Sequence, residues 1–416
     1  GFDVSFGSTS VELASSHRGT KDITLASANP QNANPVAAWI VVSRTGAAPS
    51  EVDEAFIGHG IHGPEDGDGA SVAFASRHNV GTSESWSSFS NSQIVFINPA
   101  DGTRVTAAAA WITDGLRLTF SGGTGPDWGT HQISVTFFFG YWESTILCKS
   151  GVVTTGSAGN SNDDIDIDVS SDFDGQIPTL GIFGSVGRDG ENTDFDSGRH
   201  GISLGFATYT PPLVDDQSWG AGMVAVGAED NTSTTQSGGG YNFVDDDATA
   251  SFGKVAKTVE FSGASIVNGG APELDVAQWD ATQITLDATH TGSDAISVFY
   301  LILYLGHNTL IKSARIDSPT STGTQANTWP LKETGLVLAG GSITSSPVTM
   351  GNTLMCSFGM LDVAGARQYA HNIAVEDNQS TSDCSSEFTH ELISVQSHSG
   401  ANALAAEFDA TNTDGF

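Results

Sequence analysis

The chain repeats itself at the scale of a domain, and that limits its possible folds more than any other feature. Trp279-Asp280-Ala281-Thr282 returns as Phe408-Asp409-Ala410-Thr411, and Trp111-Ile112-Thr113-Asp114 is a looser first version. Glu229-Asp230-Asn231 returns as Glu376-Asp377-Asn378, with Arg77-His78-Asn79 in the same slot earlier. Ile133-Ser134-Val135 before Phe137-Phe138-Phe139-Gly140 is echoed by Ile296-Ser297-Val298 before Leu303-Tyr304-Leu305-Gly306. The period of about 150 residues is that of a whole domain rather than of a solenoid rung. The copies read as residues 1–140, 141–306 and 307–416.

Short apolar runs punctuated by Gly, Ser, Thr, Asn and Asp give each copy an all-β signature. No long stretch has apolar residues at helical spacing; Ala107–Ala110 is the one run that suits a helical turn, and β-type sequence flanks it. In the first copy, alternation predicts strands at Phe2–Phe6, Ser10–Ala14, Lys21–Ala26, Ser71–Ser76, Gln93–Asn98 and Ile133–Phe139. Pro35 introduces Val36–Val42, apolar on both faces and therefore an inner strand. The segment Gly58–Gly69, rich in Gly, His and acid, reads as a loop. Asp114-Gly115 reads as a hairpin turn leading to Leu116, Leu118 and Phe120 at period two, with Gly supplying the positive φ. Trp279, Ile284 and Leu286 repeat the spacing of Trp111, Leu116 and Leu118. The expected fold is a tandem of antiparallel, jelly-roll-like β-sandwiches.

The third copy reaches only Asp414-Gly415-Phe416, so its last two strands are expected to be missing. A sandwich without them exposes an edge and an apolar face. Either the polypeptide is longer, which is the favoured reading, or another subunit donates strands, for which Phe2-Asp3-Val4-Ser5-Phe6 is a candidate. The absence of an initiating Met makes Gly1 a processed terminus or the start of a fragment.

A formal charge of −33, from 48 acidic and 15 basic residues, argues against nucleic acid and anionic membrane as partners. It fits a salty medium, where repulsion is screened. No apolar stretch reaches the roughly 18 residues of a membrane span. Cys148, Cys356 and Cys384 are too few for a disulfide framework and read as free, buried thiols. Cys356 and Cys384 would pair only if adjacent strands brought them together.

Carboxylates alternating near Gly suggest calcium loops, although none fits the full EF-hand pattern. The densest patch is Asp163, Asp164, Asp166 and Asp168, with Asp166 and Asp168 on one strand face. His59 and His62, with two residues between them in the Gly-rich segment, lack a further zinc ligand at defined spacing and are grouped with the binding loops. Trp39, Trp111 and Trp279 lie in core patterns. Trp86 and Trp219 stand among polar or Gly residues and are candidates for stacking on a sugar or filling an interface. Loops Gly58–Gly69, Arg188–Gly201 and Thr232–Tyr241 are the expected contact regions. The chain has no G-x-S-x-G elbow and no phosphate loop, and no carboxylate pair recommends itself for glycoside hydrolysis. The Glu-Asp-Asn triplet reads as a strand end running into a polar loop.

Pro35–Val42, Ser71–Asn79, Trp111–Phe120 and Ile133–Gly140, with their later counterparts, resemble a β-domain of virion proteins in tailed phages and in prophage-like genes of marine bacteria. The resemblance implies a structural or host-contacting virion part, such as a tail fibre or capsid decoration, with no catalytic residues to transfer. The leading expectation is thus a non-enzymatic virion or extracellular structural protein. It self-associates as a homo-oligomer, a trimer in the case of a fibre, and contacts other virion proteins or host glycan. The alternatives are a carbohydrate-binding adhesin with calcium-stabilised acidic loops, and a glycan depolymerase.

Overall fold

The fold is given by a computed structural model. It describes residues 4–15, 17–25, 35–45, 54–98, 101–121, 129–140, 147–155, 164–186, 194–195, 199–210, 218–230, 233, 237–245, 253–257, 261–262, 265–266, 273–289, 296–306, 311, 336–342, 351–352, 354–362, 367–376, 379–382, 384–396 and 402–406. All regular structure among them is β. The first unit contains β1 (Val4–Leu13), β2 (Thr20–Thr24), β3 (Pro35–Arg44), β4 (Glu54–His62), β5 (Gly69–Arg77), β6 (Ser85–Ser90), β7 (Ile94–Ile97), β8 (Arg104–Ile112), β9 (Gly115–Ser121) and β10 (His131–Gly140). The second contains β11 (Leu147–Thr154), β12 (Ile165–Asp168), β13 (Leu180–Val186), β14 (Asp194–Phe195), β15 (Arg199–Thr210), β16 (Ser218–Glu229), β17 (Ser237–Asp245), β18 (Lys254–Lys257), β19 (Phe261–Ser262), β20 (Ser265–Ile266), β21 (Glu273–Trp279), β22 (Gln283–Thr289) and β23 (Ser297–Tyr304). The third contains β24 (Leu336–Ser342), β25 (Gly351–Asn352), β26 (Leu354–Asp362), β27 (Arg367–Val375), β28 (Cys384–Thr389), β29 (Ile393–Gln396) and β30 (Asn402–Ala406).

The sheets repeat as the sequence does. The first unit has a large sheet in the order β1-β10-β3-β4-β5-β6 and a small one, β2-β9-β8-β7. The second has β11-β23-β13-β15-β16-β17 and β12-β22-β21-β18, the same order strand for strand. Among the described residues the third has β24-β26-β27-β28, matching β3 to β6, and a β29-β30 pair matching β7 and β8. The hairpin spacing read from the sequence is a ladder spacing: Trp111 faces Leu116 and Trp279 faces Ile284.

The inner strands of each large sheet are buried on both faces. Along β3, Ala38, Ile40 and Val42 turn into the first sandwich, against Phe96, Leu116 and Leu118 of the small sheet. Ala37, Trp39 and Val41 turn the other way, into a core shared with the other two units. The second unit divides its residues likewise: Phe183, Tyr300 and Ile302 fill its own sandwich, while Ile182, Leu301 and Leu303 enter the shared core. This second burial explains why Val36–Val42 and β23 are apolar throughout. The third unit gives Cys356, Phe358, Met360, Ile373 and Val375 to the shared core. Its other face carries Ser357 and Asn372, which bond Ser394 of β29. Scarce basic residues sit opposite acids in the ladders of the small sheets: Arg117 with Asp22, Lys254 with Asp275 and Lys257 with Glu273.

Several expectations are corrected. Gly58–Gly69 is a loop only over residues 63–68; Gly58 to His62 complete β4. The glycine that made it look like a turn is there for packing. A Cβ at Gly60 would lie 2.7 Å from the Ala70 carbonyl and 2.8 Å from Ile94 Cδ1. Gly205 and Gly359 occupy the same ladder position, and a Cβ there would strike the carbonyls of Val255 and Leu392. In each unit the small sheet crosses here. Gly359→Ala is therefore expected to lower stability by about 1–3 kcal/mol, read as a drop in urea midpoint. Ala107–Ala110 is strand, with Ala107 and Ala109 buried and Ala108 exposed. Ser10–Ala14 is not a separate strand, since β1 runs through Leu13. Positive φ in the hairpin falls on Asp114 (61°), while Gly115 is needed because a Cβ would strike Ile23. The donor role for Phe2–Phe6 also fails over its described part: Val4, Ser5 and Phe6 pair with Gly140, Phe139 and Phe138 of their own unit. The cysteines form no disulfide. Cys356 and Cys384 are buried and lie on strands separated by β27, whereas Cys148 is only half-buried.

Candidate functional site: the seams between units

The three units close a ring. Strands β5 and β6 pack on β13 and β15, β16 and β17 pack on β24 and β26, and β27 and β28 pack on β3 and β4. Each unit thus presents its fifth and sixth large-sheet strands to the third and fourth of the next, a head-to-tail contact that closes after three steps. Short strands reinforce two seams: β14 extends β6, and β25 extends β17. Rings from all three units meet inside. The His59 imidazole lies edge-on to Phe299 of the second unit (5.2 Å between centroids) and Phe358 of the third (5.5 Å).

The recurrent polar triplet marks the ends of these seams. Strand β5 ends at Arg77 and β16 at Glu229, and β27 ends just before Glu376. Beyond the triplet, Asn79-Val80-Gly81-Thr82-Ser83, Asn231-Thr232-Ser233-Thr234-Thr235 and Asn378-Gln379-Ser380-Thr381-Ser382 share one pattern, Asn-x-x-Thr-Ser/Thr. The Ser83 hydroxyl donates to the Glu229 carbonyl (2.8 Å), and the equivalent Ser382 donates to the Arg77 carbonyl (2.6 Å). Two residues later, Ser237 Oγ donates to the Val375 carbonyl (2.8 Å) and Cys384 Sγ to the Ser76 carbonyl (3.2 Å). These bonds run from first unit to second, second to third and third to first. Asn79 holds φ at 57°, a left-handed conformation that Asn tolerates better than most residues. Its N–H donates to the Ser382 carbonyl (2.6 Å), and the Ser382 N–H donates to Val80 (3.0 Å). The triplet read as a plain strand end is therefore half of a clasp. The repeat of Asn-x-x-Thr-Ser/Thr was the signal available in the sequence. Ser382→Ala removes a buried hydroxyl bonded to both Arg77 and Val80, and is expected to cost about 1–3 kcal/mol, measured by urea denaturation.

The seam between the first and third units is the most polar among the described residues. His371 of β27 is fully buried, with Nδ1 2.8 Å from Ser43 Oγ and Nε2 2.7 Å from Ser134 Oγ. Ser386 Oγ donates to the Arg44 carbonyl (2.8 Å) and accepts from Phe56 N–H (3.2 Å). Asp362 accepts from Ser8 N–H (3.3 Å), and Arg367 donates back to the Ser8 carbonyl (3.1 Å). Burial lowers the His371 pKa to about 3.

The residues picked from sequence fare differently. His59 is buried, not on a loop; its Nε2–H donates to the Ser203 carbonyl (3.0 Å), and Nδ1 has no partner among the described residues. Burial lowers its pKa to about 3, outweighing the Ser203 bond. His62 is buried at the end of β4, its ring 4.7 Å from Trp111. Burial lowers its pKa to about 4 against the pull of Asp66 and Asp68. Trp111, expected in the core, is half-buried and donates from Nε1 to the Gly63 carbonyl (3.0 Å). Trp86 is half-buried on β6 and packs on the first sandwich core, where a Cβ on Gly102 would meet its ring. Trp219 lies on β16, its side chain outside the described residues. Asp166 and Asp168 share the exposed face of β12, as expected. Asp166 accepts from Thr285 Oγ1 (2.9 Å), and Asp168 accepts from Ser170 N–H (2.9 Å) and Oγ (2.6 Å). Asp164 is exposed, and Asp163 lies outside the described residues. No three His, Cys, Asp or Glu side chains converge as metal ligands among the described residues. Most of Arg188–Gly201 and four of the ten residues of Thr232–Tyr241 also lie outside them.

No protein-family model, no curated protein and no solved structure matches the chain.

Proposed function

We propose that the chain is a non-enzymatic structural protein of a virion or extracellular filament, a ready-made three-part block. The observation that carries this reading is the closed ring. Residues repeated from unit to unit serve assembly: the Asn-x-x-Thr-Ser/Thr segments, of which Ser83 and Ser382 bond the neighbouring unit, and the glycines at 60, 205 and 359, which let each unit's small sheet cross its large one. Selection on an active site would repeat, or single out, a set of reactive side chains instead. The threefold contact that separate sandwiches would make as a trimer is formed within one polypeptide, so further association uses the outer surfaces of the ring. The acidic, lysine-poor composition keeps such blocks soluble in salt water until they meet a specific partner.

Antibody raised against the purified protein, conjugated to gold, is expected to decorate particles or filaments from the source culture in the electron microscope. Label confined to cell interiors, or turnover of host polysaccharide by the pure protein, would replace this reading with a soluble or enzymatic one.

A further inference from the structure

We propose that the seam between the first and third units is an acid-operated latch, with His371 as its trigger, opening the ring without dissolving the sandwiches. The inference rests on the seam's geometry and holds whatever the ring builds. Units one and three are the pair not consecutive in the chain, so their contact alone can part while both neighbouring linkages stay in place.

At the ladder position of His371 the first unit has Val72 and the second has Val224. The fold is thus satisfied by an apolar residue here, and the imidazole is specific to this seam. It bridges two strands of the first unit through Ser43 on β3 and Ser134 on β10. In the neutral ring one nitrogen donates and the other accepts, and each serine hydroxyl can take either part. Protonation makes both nitrogens donors. The two bonds survive, with Ser43 also able to donate to the Glu387 carbonyl 3.3 Å away. What is added is a positive charge at a fully buried ring to which no carboxylate among the described residues is hydrogen-bonded.

The described residues of the surrounding elements offer no ready counter-charge. On β3, Arg44 has the same sign and is paired with Glu54 of β4. On β10, His131 is itself buried. On β26, Asp362 is held by Ser8, and on β27, Arg367 is a further cation. On β28, Glu387 is the nearest candidate by position, but burial raises its pKa ahead of the opposing Asn372 bond, so it takes up a proton as the medium acidifies. Glu12 of β1 is exposed. Strand β29 has no charged residue, and the turn before it carries exposed His390 and half-buried Glu391. On β4, His59 is a second buried imidazole, and beyond β5 His78 accepts from the Cys384 N–H (3.3 Å). Opening the seam lets the imidazolium reach water, so acid favours the open ring.

The latch can be read at Cys384, a buried thiol of the third unit bonded to the Ser76 carbonyl of the first. The rate of its reaction with 4,4′-dithiodipyridine, a reagent that works in acid, is followed by peptide mass spectrometry at pH 7.5 and 4.5, with circular dichroism recorded in parallel. Two pH units below the ordinary histidine value correspond to a shift of about 100-fold in the opening equilibrium. Expressed relative to a free cysteine peptide at the same pH, which removes the loss of thiolate on acidification, the wild-type rate is expected to rise by that order at pH 4.5 with the strand signal intact. His371→Gln, which keeps a hydrogen-bonding side chain, and His371→Val, the residue of the other two units, are expected to abolish most of the rise. An equal rise in wild type and in whichever of the two variants folds, or a rise only where the strand signal is lost, would overturn the proposal.

Discussion

Replacing Phe358 by Ala is expected to lower the stability of the whole chain by about 3–5 kcal/mol, the largest single-site loss anticipated here. The ring is fully buried and touches the His59 imidazole of the first unit. Its strand, β26, packs on β16 and β17 of the second unit. Truncation would leave a cavity walled by three units, with little scope for any one strand to collapse into it. The third unit is the most exposed to such a loss. The cores enclosed by the first and second sandwiches hold residues of those units alone, whereas the apolar residues of β26 and β27 cluster in the shared core. The check is a urea melt followed both by tryptophan fluorescence and by protection of amides in β26 and β27. A loss below about 1 kcal/mol would mean that Phe358 faces solvent or a yielding contact.

The second large effect is acid sensitivity. His59, His131 and His371 have pKa values of about 3, and His62 about 4, chiefly because burial penalises the charged ring. Each folded value lies below the unfolded 6.5, so the unfolded chain binds the proton more readily. The stability contributed by the neutral rings is therefore complete above pH 6.5 and is lost as the pH falls from there towards 4. At pH 5 the difference is 1.5 units for each ring, about 2 kcal/mol apiece and on the order of 6–8 kcal/mol for the four. Protonation of surface carboxylates relieves repulsion and works in the opposite sense. Salt screens that term and leaves the buried rings untouched. In 0.5 M salt the urea midpoint is expected to fall steeply between pH 6.5 and 4.5. A midpoint flat across that range would show that the histidines are solvated.

The repetition made the unit and its strand order legible, because a hairpin spacing such as Trp111 to Leu116 and Trp279 to Ile284 survives as a ladder pairing. The Asp of the recurrent Trp-Asp-Ala-Thr turn also has a plain local reason. Asp280 accepts from Thr282 N–H and Oγ1 (both 2.7 Å), Gln283 N–H (2.9 Å) and Gln278 (2.6 Å). Burial would raise its pKa, but these bonds prevail and bring it to about 2. Apart from the Asn-x-x-Thr-Ser/Thr repeat, what is decided between units stayed hidden. Residues 58–62 look like a loop because glycine serves turns and tight crossings alike. Ser85–Ser90, polar in sequence and assigned no element there, is β6 and almost wholly buried because the second unit covers it. His59 and His371 have no local signature, since their surroundings come from strands more than a hundred residues away.

The central claim is that three sandwiches share one core, and it is tested most directly by the reactivity of the Cys356 thiol in a Phe299→Ala variant at neutral pH. Phe299 belongs to the second unit and Cys356 to the third, and both are fully buried in the shared core. A common core predicts that truncation in one unit speeds thiol modification in the other by about a hundredfold or more, as a loss of about 3 kcal/mol requires. A Cys356 rate unchanged from wild type would show three units that fold and open independently.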